Sequence, residues 1–342
     1  MPDPVTSTPR ARSWTGTLVQ VVGLCVGLGL LAWCVSMALK PENRDQLRHL
    51  ADARPSAIAG LLALSFASLL ANGGVFWSLI RPIRTLDDRV GVPFWRMQAA
   101  NAVATCLAYV PFKLSILFRV LVHRTQDRIP VGTIAAWIAA AAASLVVVCG
   151  PVLGLALIGF ARERLLIAAG ASALAAATLG WWLARLFAGP GGLAAIRRGA
   201  DALWPGVLGR LSRSAMVQHL HAGFDIAGTA QAWFGAVAFR ALDLFVQALR
   251  FWTAAHILGL EIDLGSAILL GAVYYTLGAA SPSGALGVRE GGATLVAKLM
   301  QLSGGDTYAS VTLLVTASDA VPTVLSAIAG ALYIRPWQLR RT

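Results

Sequence analysis

The sequence predicts an all-α polytopic membrane protein, and three observations predict it. Of the 342 residues, 57% are hydrophobic and 13% are charged, and mean hydropathy is +0.69. Soluble domains are rarely so apolar. Several stretches reach the roughly 20 residues that a helix needs to cross hydrocarbon. No stretch alternates with the period of two that barrel strands require.

Taken in order, residues 1–13 are rich in Pro, Ser and Thr and read as a disordered cytoplasmic tail. Arg10 and Arg12 precede the apolar run 17–39, as in a signal peptide. That run is too long for a typical signal core and ends in Trp33, Met37 and Leu39, so it is expected to stay as the first helix. Trp33 beside Cys34 is too bulky for a lipoprotein processing site. Further apolar segments cover 56–80, 97–122, 131–160, 164–188, 230–258, 262–302 and 308–334. The organisation expected is a first membrane half over 14–188, a basic cytoplasmic linker over 189–229, and a second half over 230–342. The linker is either an amphipathic segment on the membrane surface or a solvated connector. Its His219 and His221 are too close together and too isolated to suggest a metal site.

Two of the apolar segments are interrupted. The first breaks at Tyr109-Val110-Pro111-Phe112-Lys113. The second breaks at 280–292, which holds Pro282, Gly284, Gly287, Gly291, Gly292 and the pair Arg289-Glu290. Hydrocarbon accepts broken backbone only where protein or a water-filled cavity surrounds it. It accepts ionisable side chains mainly where they face the bundle interior. Both departures coincide at 280–292, which marks the expected functional site.

Basic loops set the orientation. Arg81, Arg84, Arg89 and Arg96 precede the first broken segment, and Arg124 and Arg128 follow it. Arg197, Arg198, Arg210 and Arg213 lie in the linker, and Arg335, Arg340 and Arg341 close the chain. All are expected in the cytoplasm, as are both termini. The loops at 259–263 and 303–307 carry Glu261, Asp263 and Asp306 with no Lys or Arg, and are expected outside. The first broken segment then enters from the cytoplasm and returns to it, while the second enters from outside and returns outside. About six spanning helices plus two oppositely oriented re-entrant hairpins follow, the plan of an inverted repeat.

The net charge of +12 is spread over many loops, which excludes a nucleic-acid face. Cys25, Cys34, Cys106 and Cys149 lie in apolar stretches without metal-ligand spacing and read as small fillers. No phosphate loop, dinucleotide fingerprint, metal set or nucleophile-base pair is visible. Neither an enzyme nor a cofactor is expected, and transport would run down a gradient or be coupled to ions.

Buried charge is the remaining signal. Arg240, Asp243, Gln247 and Arg250 fall within about 80° of one helix face. A charge at a helix centre costs on the order of 3 kcal/mol, so this stripe should face inward. It either lines a polar cavity or serves packing through an Arg240–Asp243 bridge. Arg250 has no acidic neighbour in sequence. Glu290 suits the first turn of a helix restarting after Gly287, but Arg289 does not, because a cation is unfavourable there. An anion nearby would explain it, with Lys113 and Arg119 adding charge from the other hairpin. Asp319, three residues before Pro322, is a candidate partner for Arg289 or Lys298, or else bonds backbone freed by the kink.

The run Pro282-Ser283-Gly284-Ala285-Leu286-Gly287-Val288-Arg289-Glu290-Gly291 resembles the signature of a family. It is the flippase-like transmembrane region of bifunctional lysylphosphatidylglycerol synthases, which also occurs alone in bacterial and archaeal inner-membrane proteins. Leu286 to Glu290 keep the family's Leu-Gly-Val-Arg-Glu intact. The first-half motif is similar to Pro-x-x-x-Gly-Glu-x-x-Arg: Pro111 and Arg119 match, while Ser115 and Ile116 stand at the glycine and the acid. The chain ends eight residues after the last apolar segment, so the aminoacyl-transfer domain is not expected. The resemblance implies a lipid translocase of the bacterial inner membrane. It would bind a polar, anionic headgroup among Arg240, Arg250, Arg289 and Lys113 while the chains stay in the bilayer. The alternative is a non-transporting scaffold or accessory to a lipid-modifying or glycosyl-transfer enzyme. Membrane lipids are the expected partners, with a second copy of the chain or lipid-biosynthesis enzymes as further ones.

Overall fold

The computed structural model describes residues 14–83, 91–110, 113–204, 206–281, 285–300 and 308–334. Pro111, Pro282, Gly284, Asp306 and the basic residues Arg84, Arg89, Arg335, Arg340 and Arg341 lie outside them. The described chain is helical without strands. Six helices are long and apolar enough to cross a membrane: Gln20–Ala38, Pro55–Ile80, Val131–Leu157, Arg164–Phe187, Ala230–Ile257 and Tyr308–Ile334. They belong to α1 (Trp14–Ala38), α3 (Pro55–Ile80), α6 (Val131–Leu157), α7 (Arg162–Phe187), α11 (Ala230–Ile257) and α14 (Tyr308–Ile334). The chain is thus an all-α membrane protein.

The interrupted segments form two hairpins of shorter helices. α4 (Phe94–Leu107) and α5 (Leu114–Thr125) make the first, and α12 (Leu264–Ala280) and α13 (Val288–Leu299) the second. Pro41–Asn43 forms a 3-10 turn before α2 (Arg44–Ala51). The 189–229 linker folds as α8 (Gly189–Leu203), α9 (Leu208–Ser212) and α10 (Ala215–Gly228). α10 packs on α6 and α7, and His221 bonds the Phe187 carbonyl at 2.7 Å. This part of the linker is docked on the bundle, rather than being a solvated connector.

Local chemistry sets the helix ends. Pro55 opens α3 in the first turn, where its missing N–H costs nothing. Asp263 caps α12 by accepting from the Ser266 N–H at 2.8 Å. Gly287 opens α13 with φ +83, a conformation that disfavours side chains. Pro151 and Pro322 lie inside α6 and α14, where each removes one backbone hydrogen bond.

The two halves repeat one order of elements: a long helix, a helical hairpin, then a long helix containing proline. Their packing is reciprocal. α3 against α11 is the most extensive contact in the bundle, α6 crosses onto α11 and α12, and α14 crosses onto α3 and α4. Small residues allow the close approach. A Cβ on Gly74 would strike the Phe239 ring, and one on Gly271 would lie 3.3 Å from the Ala248 nitrogen. The hairpins meet at their tips, where the Ala285 N–H donates to the Ala108 carbonyl at 3.2 Å. At its open end the first hairpin is held by Arg96 on Asp127 at 3.1 Å and Asp127 on His123 at 2.7 Å.

α1 covers the second hairpin, and Gly287 is where the two backbones touch: a Cβ there would collide with the Gly27 carbonyl oxygen. Gly287→Ala adds that clash to a left-handed penalty of about 1–2 kcal/mol. It is expected to lower the melting temperature of the detergent-solubilised protein by several degrees. Gly29→Ala, with nothing within 4 Å of the new atom, should leave melting unchanged. Equal melting of the two variants would contradict the α1–α13 packing.

Candidate functional site

A cavity of about 310 Å³ lies at the junction of the two halves. Its charged lining comprises Arg119, Arg240, Asp243, Arg289 and Asp319, with Asn72, Gln247, Tyr109, Tyr274 and Tyr275 as polar neighbours. Three guanidiniums therefore face two carboxylates.

The second-hairpin side is electrically closed. Gly287 caps α13 and Glu290 sits in its first turn, so the Glu290 carboxylate folds back onto the Gly287 N–H, as the helix dipole favours. Its other oxygen accepts from Arg289 Nε and from Thr316 Oγ1, each at 2.8 Å. Arg289 extends across the hairpin tips to donate to the Tyr109 hydroxyl at 3.0 Å. Its guanidinium lies 4.7 Å from the centroid of the Tyr109 ring and 4.5 Å from that of Tyr274. Asp319 stands 3.7 Å from Arg289 and 2.6 Å from Arg250. Arg250 also donates to Gln247 Oε1 at 2.8 Å and to the Val315 carbonyl at 2.7 Å. Two arginines and two carboxylates balance here.

The other side is not balanced. Asp243, fully buried, accepts from Ser68 Oγ at 2.6 Å and lies 3.6 Å from Arg240. Gln247 donates to the same Ser68 hydroxyl at 2.9 Å. Arg240 donates to Asn72 Oδ1 at 3.1 Å, and Asn72 donates to Asn101 Oδ1 at 3.2 Å. Arg119 donates to that same oxygen at 2.7 Å and stacks 3.8 Å from the centroid of the Phe76 ring. Among the described residues Arg119 pairs with no carboxylate, and Arg119 Nη1, Arg240 Nε and Asp243 Oδ2 are buried without a hydrogen-bond partner, as is Arg250 Nε on the other side. A continuous polar chain thus runs from α5 through α4, α3, α11 and α14 to α13, with its uncompensated charge at the α5 end.

The structure joins most of the residues anticipated from sequence: Arg289, Glu290, Arg240, Asp243, Gln247, Arg119 and Asp319 share one network. It corrects others. Arg250 does not line the cavity and does have an acidic partner, because α14 brings Asp319 to it. Lys113 is not among the lining residues; it opens α5 in the left-handed region with φ 53. Asp319 serves Arg250 and Arg289, while Lys298 lies on an exposed face. Arg289 has Glu290 and Asp319 as its anions, so it does not require an external one. Pro282 and Gly284 fall outside the described residues. Sequence reasoning missed Ser68, Asn72, Asn101, Tyr109, Tyr274 and Tyr275. The amides Asn72 and Asn101 inside apolar segments were the available signal, since such groups rarely face lipid.

Removing one partner of a buried ion pair leaves an unpaired charge and costs about 3–5 kcal/mol. Asp319→Asn should therefore lower the melting temperature sharply. Asp319→Asn combined with Arg250→Gln should lower it by less than the sum of the single effects. Additive losses in that cycle would show that the pair is not coupled.

No protein-family model matches the chain, and no curated protein matches it.

Proposed function

We propose that this protein is a lipid translocase that takes the anionic headgroup of a membrane lipid into the cavity between its two halves. The observation that carries the proposal is the buried guanidinium of Arg119, which lines the cavity, has no carboxylate partner among the described residues and keeps one donor unused. Burying an ion costs several kcal/mol. The contact with Phe76 offsets on the order of 2 kcal/mol. A phosphate or carboxylate held between Arg119 and Arg240 supplies the remainder through charge-assisted hydrogen bonds.

In this account the two hairpins are re-entrant and of opposite polarity, the first entering from the cytoplasm and the second from outside. Their tips meet near the bilayer midplane, where an inverted-repeat transporter places its substrate. The protein acts in the bacterial inner membrane with both termini in the cytoplasm, and it performs no covalent chemistry. A scaffold has no need of an uncompensated arginine facing a cavity.

Arg119→Gln removes a charge without stranding a partner. It is expected to melt at or above the wild-type temperature, yet to lose at least tenfold in binding of phosphatidylglycerol vesicles and in leaflet exchange in proteoliposomes. A packing role predicts the reverse, lower melting with exchange intact. Ile116→Glu tests the same site from the other direction. Residues three apart on a helix are neighbours, so a carboxylate at 116 would occupy Arg119 and compete with the lipid anion. Binding equal to wild type in both variants would defeat the headgroup reading.

Polarity is tested by labelling Trp95→Cys and Glu261→Cys in a background lacking the four native cysteines. Trp95→Cys should react only with reagent on the cytoplasmic side and Glu261→Cys only with reagent outside. Reaction from the same side would contradict opposed hairpins.

A further inference from the structure

The cavity is small for what it is asked to hold. At about 310 Å³ it sits at the lower end of pockets that enclose a small ligand. It suits one headgroup and leaves no room for hydrocarbon chains. Its wall is not closed. Between α5 and α6 the lining includes Ser115, Ile116, Ile138, Ala141, Ala142 and Leu145, and Ile116 and Ala142 are exposed. These two helices follow one another in the chain but touch sparingly. The outer face of α5 continues apolar, with Leu117 59% and Leu121 53% exposed.

The height of this cleft is fixed by α6. Residues 138–145 lie within about 9 Å of the helix midpoint at 1.5 Å per residue, inside a hydrocarbon core whose half-thickness is about 15 Å. An opening at that depth faces acyl chains, not water. Arg119, one turn along α5 from Ser115 and Ile116, stands just inside it.

We infer that the cleft between α5 and α6 is a lateral portal that seats a hydrocarbon chain of the lipid whose headgroup occupies the Arg119–Arg240 end of the cavity. This rests on the headgroup reading above. It adds a binding site for the apolar part of the substrate and restricts that substrate to amphiphiles with compact anionic heads. Water-soluble phosphates lack the group that the portal holds.

The test separates the two claims. Ala142→Trp fills the α6 side of the portal and leaves the Arg119 guanidinium in place. In proteoliposomes carrying chain-labelled phosphatidylglycerol, it is expected to slow leaflet exchange at least tenfold while retaining wild-type binding of soluble glycerophosphoglycerol, the same head without its chains. Arg119→Gln should lose both. Normal exchange by Ala142→Trp beside a defective Arg119→Gln overturns the portal and keeps the headgroup site. Normal behaviour of both overturns the headgroup site.

Should Ala142→Trp not fold, a benzophenone side chain at position 116 gives a second readout. In vesicles of equal phosphatidylglycerol and phosphatidylcholine, its lipid adducts should be enriched in phosphatidylglycerol, and Arg119→Gln should remove the enrichment. Adducts that mirror the bulk composition in the wild-type background overturn the portal.

Discussion

Charge placed in hydrocarbon must be balanced, and this requirement organises the centre of the bundle. Four buried arginines and three buried carboxylates meet there, and the pairs within one helix, Arg289–Glu290 on α13 and Arg240–Asp243 on α11, do not satisfy all of that charge. Arg250 on α11 depends on Asp319 of α14. Arg289 on α13 depends on Tyr109 beyond α4 and on Asp319. Arg119 on α5 depends on Asn101 of α4. The halves themselves are joined by Arg289 on Tyr109, Arg240 on Asn72 and Ser68 on Asp243, while glycines and small residues bring the backbones close enough for those contacts to form. An apolar interface would hold helices in lipid less specifically, since lipid tails compete equally for apolar surface.

The same requirement locates function by its exception. Where Arg289 and Arg250 face two carboxylates, the site is a structural clamp on the hairpin tips. Where Arg119 and Arg240 face one, charge is left over and turned towards a cavity. The asymmetry traces to one position. The motif resembling that of the lysylphosphatidylglycerol synthase membrane region would place an acid three residues before Arg119, within its reach. This chain has Ile116 there, which both leaves the arginine unpaired and makes the cleft beside it apolar.

Much of this was legible in the sequence. Spanning helices follow from length and hydropathy, which need no partner to be read. The breaks at 109–113 and 280–292 announce hairpins through proline and glycine. The inward stripe of α11 follows from helical spacing alone. What the sequence could not supply was pairing across elements. Asp319 lies 69 positions from Arg250, so Arg250 looked unpartnered although Asp319 lies 2.6 Å from it. Lys113 looked like an equal of Arg119, because distance from the cavity is set by where α5 begins, not by residue type. The amides Asn72 and Asn101 carry the polar chain between the halves, yet a single amide in an apolar run is a faint signal beside an arginine.

An anion held between Arg119 and Arg240 is tested most directly by the lipid that stays with the protein. Purification in mild detergent followed by native mass spectrometry identifies that lipid directly. One anionic lipid per chain, enriched over the membrane from which it was extracted, is the predicted result. Retention of zwitterionic and anionic lipids in their membrane proportions, with none held in fixed stoichiometry, would contradict it.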